Sequence, residues 1–452
     1  MKTIRRLLAL LLCLCALFTF SGTAFAAMPA PFYLPVHIEG WWDCQVRAYE
    51  ESYPGNLYLS LSDLSQALSG TTKQFLFSYD SKDDSFSVNT GRPAGAPETD
   101  PVSRARGSVV YLDFTRSRLF VDGAERRYYS FRRDSSRDLY MSLTDVQLML
   151  DLTAELPDEN LLVLDPGRPF APDPSELERA GYFDAIGALI LGDADTGEIL
   201  FSRDSRRHLP IASLSKLMTY LLLCEAADRG EISFSDNVTI TAESDRISRS
   251  ADGMIAMGEG SSVPMQELID AMLLASSNEA AASLAAHTAG STEAFVERMN
   301  ARAAELRLMS AKFYTPHGLP IYTTNAVTAK LQNKMCALDM FRLCSYLLER
   351  YPQITAITSR QYSSMKELKY ATYNTNTLVY NLSGVSGLKT GSTDRAGYCV
   401  AVSLPVTRDG ETHDIVLVLL GAETAALRGQ AAEILLRWAR DYYAEHGFRP
   451  AN

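Results

Sequence analysis

The chain of 452 residues sets 43 Lys and Arg against 54 Asp and Glu, a formal charge of −11, which argues against a nucleic-acid binder or a protein held on anionic lipid. Its length exceeds what one ordinary core encloses, so two or three domains are expected. Six histidines are scattered without metal-ligand spacing, and neither a metal nor a cofactor is expected.

Residues 1–26 read as an export signal: Lys2, Arg5 and Arg6, an apolar run from Leu7 to Phe20, then Ala24-Phe25-Ala26 at a cleavage site. That run is too short to span a bilayer. The mature chain is expected to act outside the cytoplasm, with membrane contact at most peripheral. Cys13 and Cys15 leave with the signal, and five cysteines remain. An odd count is a poor disulfide framework, and Cys336 and Cys344 stand too far apart on one helical pattern to bridge. Cys224 and Cys399 read as buried thiols.

Residues 30–165 are expected to form an α+β domain with an internal repeat. "LYLSLSDLSQAL" (57–68) returns as "LYMSLTDVQLML" (139–150), with Asp63 matching Asp145 and Ser62 matching Thr144. Each copy reads as a strand entering a helix, with Ser62 or Thr144 the expected N-cap and the acid in the first turn. Hairpin turns precede the copies at "HIEG" (37–40) and "FVDG" (120–123). Acidic turns with a further strand follow, in "YDSKDDSFSV" and "LPDENLLVL". Trp41-Trp42 and the tyrosines are expected in core and strand packing, a glycan-binding face being the alternative. The paired motifs resemble the domain family named after the N-terminal domain of copper amine oxidases, which implies a small α+β module attached to a secreted enzyme, without copper ligands here. A softer break is expected at 90–101. The main boundary is the linker at 166–180, where "PGRPFAPDP" holds four prolines in nine positions.

Residues 181–450 change character. "IGALILGDADTGEILFS" (186–202) reads as a hairpin turning at Asp195-Thr196-Gly197. Helical sequence dominates from 213 to about 350, and strands return at "YCVAVSLPV" and "DIVLVLLGA". A closing helix from about Ala425 to Glu445 carries the stripe Leu427, Ala431, Ile434, Leu435, Trp438 and Tyr442, expected to pack on the sheet. The fold class is therefore α/β (α+β): a sheet built from distant parts of the chain, with a helical subdomain inserted and a cleft between the two.

"LPIASLSKLMTYLLL" (209–223) sets Lys216 one helical turn after Ser213 in an apolar run. A serine oxygen attacks a carbonyl only if a base removes its proton, and a lysine serves only if desolvation or a second cation lowers its pKa. Ser-x-x-Lys occurs three times, also at Ser363–Lys366, read as solvated surface, and at Ser386–Lys389, whose lysine belongs to the triplet Lys389-Thr390-Gly391. Ser276-Ser277-Asn278 falls between two apolar helices, whereas Ser235-Asp236-Asn237 reads as a turn.

The order Ser-x-x-Lys, Ser-x-Asn, Lys-Thr-Gly at 213, 276 and 389 resembles the penicillin-binding protein and serine β-lactamase superfamily, and within it the low-molecular-weight serine D-alanyl-D-alanine carboxypeptidases. The flanks "PIASLSKLMT", "LLLASSNEAAASLA", "FYTPHGLP", "NTNTLVY" and "GVSGLKTGSTDRAGYCVAV" carry the likeness. It implies a β-lactamase/transpeptidase-like fold whose sheet is antiparallel, with Ser213 the acylated nucleophile, Lys216 its base and Ser276 the proton relay. It further implies that Asn278 holds the substrate amide, that Lys389, Thr390 and Ser392 grip its carboxylate, that the N–H groups of Ser213 and Ser392 form the oxyanion hole, and that Gly391 lets a substrate strand approach. The implied partners are peptidoglycan stem peptides ending in D-Ala-D-Ala, with β-lactams as inhibitors, at the cell wall or the outer face of the cytoplasmic membrane. A class A β-lactamase is the alternative with the same motifs. No Glu-x-x-Leu-Asn pattern supplies its deacylating acid, the nearest approach being Glu297 before Met299-Asn300. A non-catalytic wall-binding or penicillin-sensing protein is the alternative from another class.

Overall fold

Each N-terminal repeat is built from a hairpin, a strand–helix unit and a second hairpin. In the first copy β1 (Phe32–Ile38) and β2 (Asp43–Glu50) turn at "HIEG", β3 (Leu57–Ser60) leads into α1 (Leu61–Ala67), and β4 (Phe75–Asp80) and β5 (Ser85–Thr90) close it. The second copy repeats the plan with β6 (Arg118–Val121), β7 (Ala124–Arg126), β8 (Phe131–Arg133), β9 (Leu139–Ser142), α2 (Leu143–Leu150), β10 (Thr153–Asp158) and β11 (Leu161–Asp165). This is a computed structural model, and it describes residues 31–50, 57–94, 118–127, 131–134, 137–158, 160–322 and 330–448. The export signal and most of the softer break lie outside them.

The two copies interleave. The seven-stranded sheet runs β10-β11-β1-β2-β3-β9-β8 and the four-stranded sheet β4-β5-β6-β7. The closing hairpin of each copy therefore lies beside the opening hairpin of the other, through parallel pairs β1–β11 and β5–β6. The helix caps correct the sequence reading. Ser60 and Ser142, the last strand residues, accept the N–H of Asp63 and Asp145, while Ser62 and Thr144 lie inside the first turn. The Trp41-Trp42 pair is also corrected. It sits at the β1–β2 turn with 48% and 39% of its surface exposed, because Trp42 Nε1 is tied to the Ala67 carbonyl at the sheet's end rather than turned into the core.

The proline-rich stretch bonds to the N-terminal repeat: Thr153 N–H donates to the Arg168 carbonyl, and Phe170 N–H to Asp151. α3 (Pro174–Arg179), capped by Asp173, follows. Then come β12 (Ala188–Asp193), β13 (Ile199–Arg203), β14 (Leu209–Pro210), α4 (Ser215–Asp228), β15 (Asn237–Thr239), α5 (Ala242–Ser248), β16 (Ser262–Pro264), α6 (Met265–Leu273), α7 (Asn278–Ala289) and α8 (Thr292–Glu305). The chain continues through β17 (Ile321–Tyr322), β18 (Lys330–Leu331), β19 (Lys334–Met335), α9 (Ala337–Arg350), α10 (Ile354–Thr358), β20 (Tyr362–Met365), β21 (Tyr370–Tyr373), α11 (Leu378–Asn381), β22 (Gly387–Thr393), β23 (Gly397–Arg408), β24 (Glu411–Ala422) and α12 (Ala425–His446).

The central sheet is antiparallel, ordered β13-β12-β24-β23-β22. Apolar side chains of α12 and of β12, β23 and β24 form one core on one face of it. A larger core on the other face joins the sheet to α4, α6, α7, α8 and α9. β22, which carries Lys389-Thr390-Gly391, is the edge strand. No helix among the described residues is long and apolar enough to cross a membrane.

Candidate active site

Ser213 sits in a single 3₁₀ turn, Ala212–Leu214, immediately before α4. The turn is shaped by Ala212, whose φ of +45° is in the left-handed region that a side chain disfavours. Two glycines leave room for it. A Cβ on Gly318 would stand 2.0 Å from the Ala212 carbonyl oxygen, and one on Gly391 would stand 2.9 Å from the Ser213 nitrogen. The bare Cα of Gly391 therefore admits the Ala212–Leu214 turn against β22.

Lys216 projects from the first turn of α4 and is 0% exposed. Its Nζ lies 2.8 Å from each of Ser213 Oγ, Asn278 Oδ1 and the His317 carbonyl. Asn278 Oδ1 and the His317 carbonyl only accept, so a neutral amine gives them its two N–H groups and keeps its lone pair for the Ser213 hydroxyl. Burial first, and then the Lys389 charge, pull the Lys216 pKa well below the usual lysine value, with Glu279 opposing. The ring of His317 stays neutral. Its pKa is pushed down to about 3 by burial and then by Lys216, and its Nδ1 accepts the Leu319 N–H.

Asn278 opens α7, and Ser277 caps that helix by accepting the Ala280 N–H. Asn278 Nδ2 donates one hydrogen to the Asp252 carbonyl, which leaves the second for a ligand. Ser276 precedes the cap with φ of +64°, an unfavourable conformation for a residue with a side chain. Glu279 is fully buried, and its Oε1 accepts the N–H groups of Met254 and Ile255. Residues 278 and 279 thus pin the 252–255 segment as one wall of the site.

From β22, Lys389 is buried and donates to the Thr390 carbonyl. Burial, and then Arg428, lower its pKa to about 7. Thr390 Oγ1 lies 2.8 Å from Thr375 Oγ1, and Ser392 is exposed at the mouth. Ser213, Ser276, Asn278, Thr375, Thr390, Gly391, Ser392 and Arg428 line one cleft of about 380 Å³. A second lobe of about 400 Å³ shares Ser392 and Asp252 with it. Lys216 and Lys389 stand behind that lining.

All eight sequence-derived residues converge here. Arg428, Thr375, Glu279 and Gly318 were missed as site residues. Thr375, Gly318 and Glu279 lie inside the flanks that carry the likeness, and the signal for Arg428 is a cation on the buried side of the closing helix, where it is 5% exposed. The other Ser-x-x-Lys serines do not join the site. Ser363 is corrected from solvated surface: it is 6% exposed and donates to Asp270. Ser386 bonds the Ser403 carbonyl, and Ser235 lies in a turn with Ser233. Asp193, Asp195 and His413 form a cluster with metal-ligand types, but Asp193 Oδ1 accepts the N–H groups of Asp195 and Thr196 while Oδ2 holds His413. That engagement locks the β12–β13 turn.

Residues 181–424 match a family model described as D-alanyl-D-alanine carboxypeptidase. The chain is 32% identical over 260 residues to the D-alanyl-D-alanine carboxypeptidase DacF of Bacillus subtilis, a match spanning 57% of this chain and 62% of that one. It is 29% identical over 279 residues to DacD of Escherichia coli, spanning 61% and 66%. The match thus covers under two thirds of either relative. Among solved structures, penicillin binding protein 6B from Escherichia coli is similar with a TM-score of 0.50 and 30% identity, over 60% of this chain and 80% of that one. The peptidoglycan synthesis regulatory factor PBP3 from Streptococcus pneumoniae is similar with a TM-score of 0.51 and 29% identity, over 57% and 73%.

Proposed function

Because the chain belongs to the D-alanyl-D-alanine carboxypeptidase family, matching its model over residues 181–424, we propose that it removes the terminal D-alanine from peptidoglycan stem peptides, outside the cytoplasmic membrane. The observation that carries this reading is the 2.8 Å contact between Lys216 Nζ and Ser213 Oγ, a base and a nucleophile already within proton-transfer distance.

The carboxylate of the last D-alanine is drawn to the end of the cleft where Arg428, Thr390 and Ser392 converge, with Lys389 behind them. The peptide lies along β22, an edge strand whose outward N–H and C=O groups are available to an added strand. Ser213 Oγ attacks the carbonyl carbon of the penultimate residue as its proton passes to Lys216. The negative charge on the carbonyl oxygen is met by the Ser213 and Ser392 N–H groups. Ser276 relays the proton to the leaving nitrogen, the C–N bond breaks, D-alanine departs and the acyl group stays on Ser213. Water then takes the same path, giving its proton to Lys216 and releasing the shortened peptide and free Ser213. A β-lactam presents a carboxylate and a strained amide to the same groups and acylates Ser213, with slow release.

The test is mass spectrometry of a purified stem pentapeptide incubated with the mature protein. One D-alanine is lost with wild type and none with Ser213→Ala. Rapid turnover of benzylpenicillin with no D-alanine released would favour a β-lactamase instead.

A further inference from the structure

Among the described residues, two seams of hydrogen bonds join the N-terminal repeat to the catalytic unit, one at Asn381 and one at Gln430. At the first, Arg127 and Asn381 bond reciprocally: Arg127 N–H donates to Asn381 Oδ1 at 2.9 Å, and Asn381 Nδ2 donates to the Arg127 carbonyl at 3.0 Å. The Arg127 guanidinium lies 3.8 Å over the Tyr373 ring and 4.9 Å over Tyr380, and Arg126 donates to the Tyr380 carbonyl. At the second, Gln430 Nε2 of α12 reaches Ser142 Oγ at 3.0 Å and Asp145 Oδ1 at 3.1 Å.

The second seam departs from the repeat's own symmetry. In the first copy the matching pair, Ser60 and Asp63, is served from within: Arg47 binds both oxygens of Asp63 and also reaches Ser60. In the second copy the cap serine and its acid receive a side chain from the catalytic unit. Asp145 is 2% exposed, and its Oδ2 meets no hydrogen-bond partner among the described residues. An acid so placed gains from a donor across the seam, which makes Gln430 part of a built contact.

Each seam reaches the cleft within a few residues. α11, which Arg126 and Arg127 hold, follows Thr375 closely in sequence. Thr375 bonds Thr390 through its hydroxyl and the Leu274 carbonyl through its N–H, bridging the Lys-Thr-Gly strand to the segment that carries Ser276. Gln430 stands two residues after Arg428 on α12. A four-residue helix has no stability of its own, so the bonds from Arg126 and Arg127 add to what the catalytic unit supplies there, where Leu378 is buried in the core, Tyr380 Oη donates to the Gln361 carbonyl and Asn374 donates to the Thr358 and Arg360 carbonyls.

We propose that the second copy of the N-terminal repeat is a docking face that holds Thr375 and Arg428 in place, making Arg127, Asn381 and Gln430 positioning residues for the substrate's carboxylate end. The inference rests on the carboxypeptidase reading for what that end of the cleft binds, but not for the mechanical coupling. The two are tested together on the full chain, with Asn381→Ala cutting the first seam and Gln430→Leu the second. Each variant is expected to raise KM for a D-Ala-D-Ala peptide about tenfold, from the loss of two hydrogen bonds, with kcat within about twofold. Amide exchange in 374–381 for Asn381→Ala, and in 424–432 for Gln430→Leu, is expected to quicken. Unchanged KM and unchanged exchange in both variants, even with a lowered Tm, would overturn the proposal and leave the repeat a spacer. If wild type releases no D-alanine, the carboxypeptidase reading fails while the exchange comparison still decides the coupling. If Gln430→Leu does not fold, KM and exchange in Asn381→Ala alone decide between docking face and spacer.

Discussion

The base proposed at Lys216 depends on its surroundings: the amine is fully buried, its Nζ touches Ser213 Oγ, Asn278 Oδ1 and the His317 carbonyl, and burial, then Lys389, pulls its pKa well below the usual lysine value. Arginine in its place keeps its charge in any such setting, so Lys216→Arg is expected to slow acylation of Ser213 by a fluorescent penicillin about 10³-fold. An unslowed variant would remove Lys216 as the base. Lys389 gives a second test, through stability. Between about pH 7 and 10.5 the unfolded chain holds a proton that the folded Lys389 has released, so this group adds stability as pH rises across that window. Lys389→Met has no such proton to release. It is expected to be more stable than wild type to urea at pH 7, with the gap narrowing towards pH 10, and to bind substrate poorly at both. A gap that does not change with pH would contradict a buried lysine. The motif residues were legible because the proposed reaction requires these types at short spacings within each motif. Arg428 was not, because its role depends on which surface of α12 faces the cleft, and Glu279, though next to Asn278, was not because its partners at Met254 and Ile255 are fixed by tertiary packing alone.

The short turns do as much as the long helices. Ala212–Leu214 is bent at a residue with a side chain and is held between Gly318 and Gly391. Gly318→Ala puts a Cβ against the Ala212 carbonyl at a φ of +95°, so it is expected to cost about 2 kcal/mol or more in urea unfolding and to slow penicillin labelling of Ser213. Normal labelling would show that the turn tolerates the shift. In the repeat, Ser60 caps α1 and also donates to Asp138. Ser60→Ala therefore loses a cap and a buried bond, expected at about 2 kcal/mol in the same measurement. The period-two pattern gave the strands and the apolar stripe gave α12. It gave the wrong caps, because Ser60 and Ser62 are equally good cap types and only the strand's end decides between them.

At the scale of the whole molecule, the alternation along β1 to β11 was readable, but the interleaving of the copies was not. A hairpin has the same pattern whether it pairs with its own repeat or with the other. The same holds for the central sheet, where β12 pairs with β24 from Ala188 against Leu420 to Asp193 against Ile415. That pairing joins segments more than two hundred residues apart. Contacts so far apart in sequence close slowly and late, and the dry pocket around Lys216 includes β22, which is laid down beside β23 and β24. Until those strands arrive the lysine is an ordinary charged amine and Ser213 an ordinary hydroxyl. A chain whose sheet has not yet closed therefore carries Ser213 and Lys216 without the surroundings that lower the lysine's pKa.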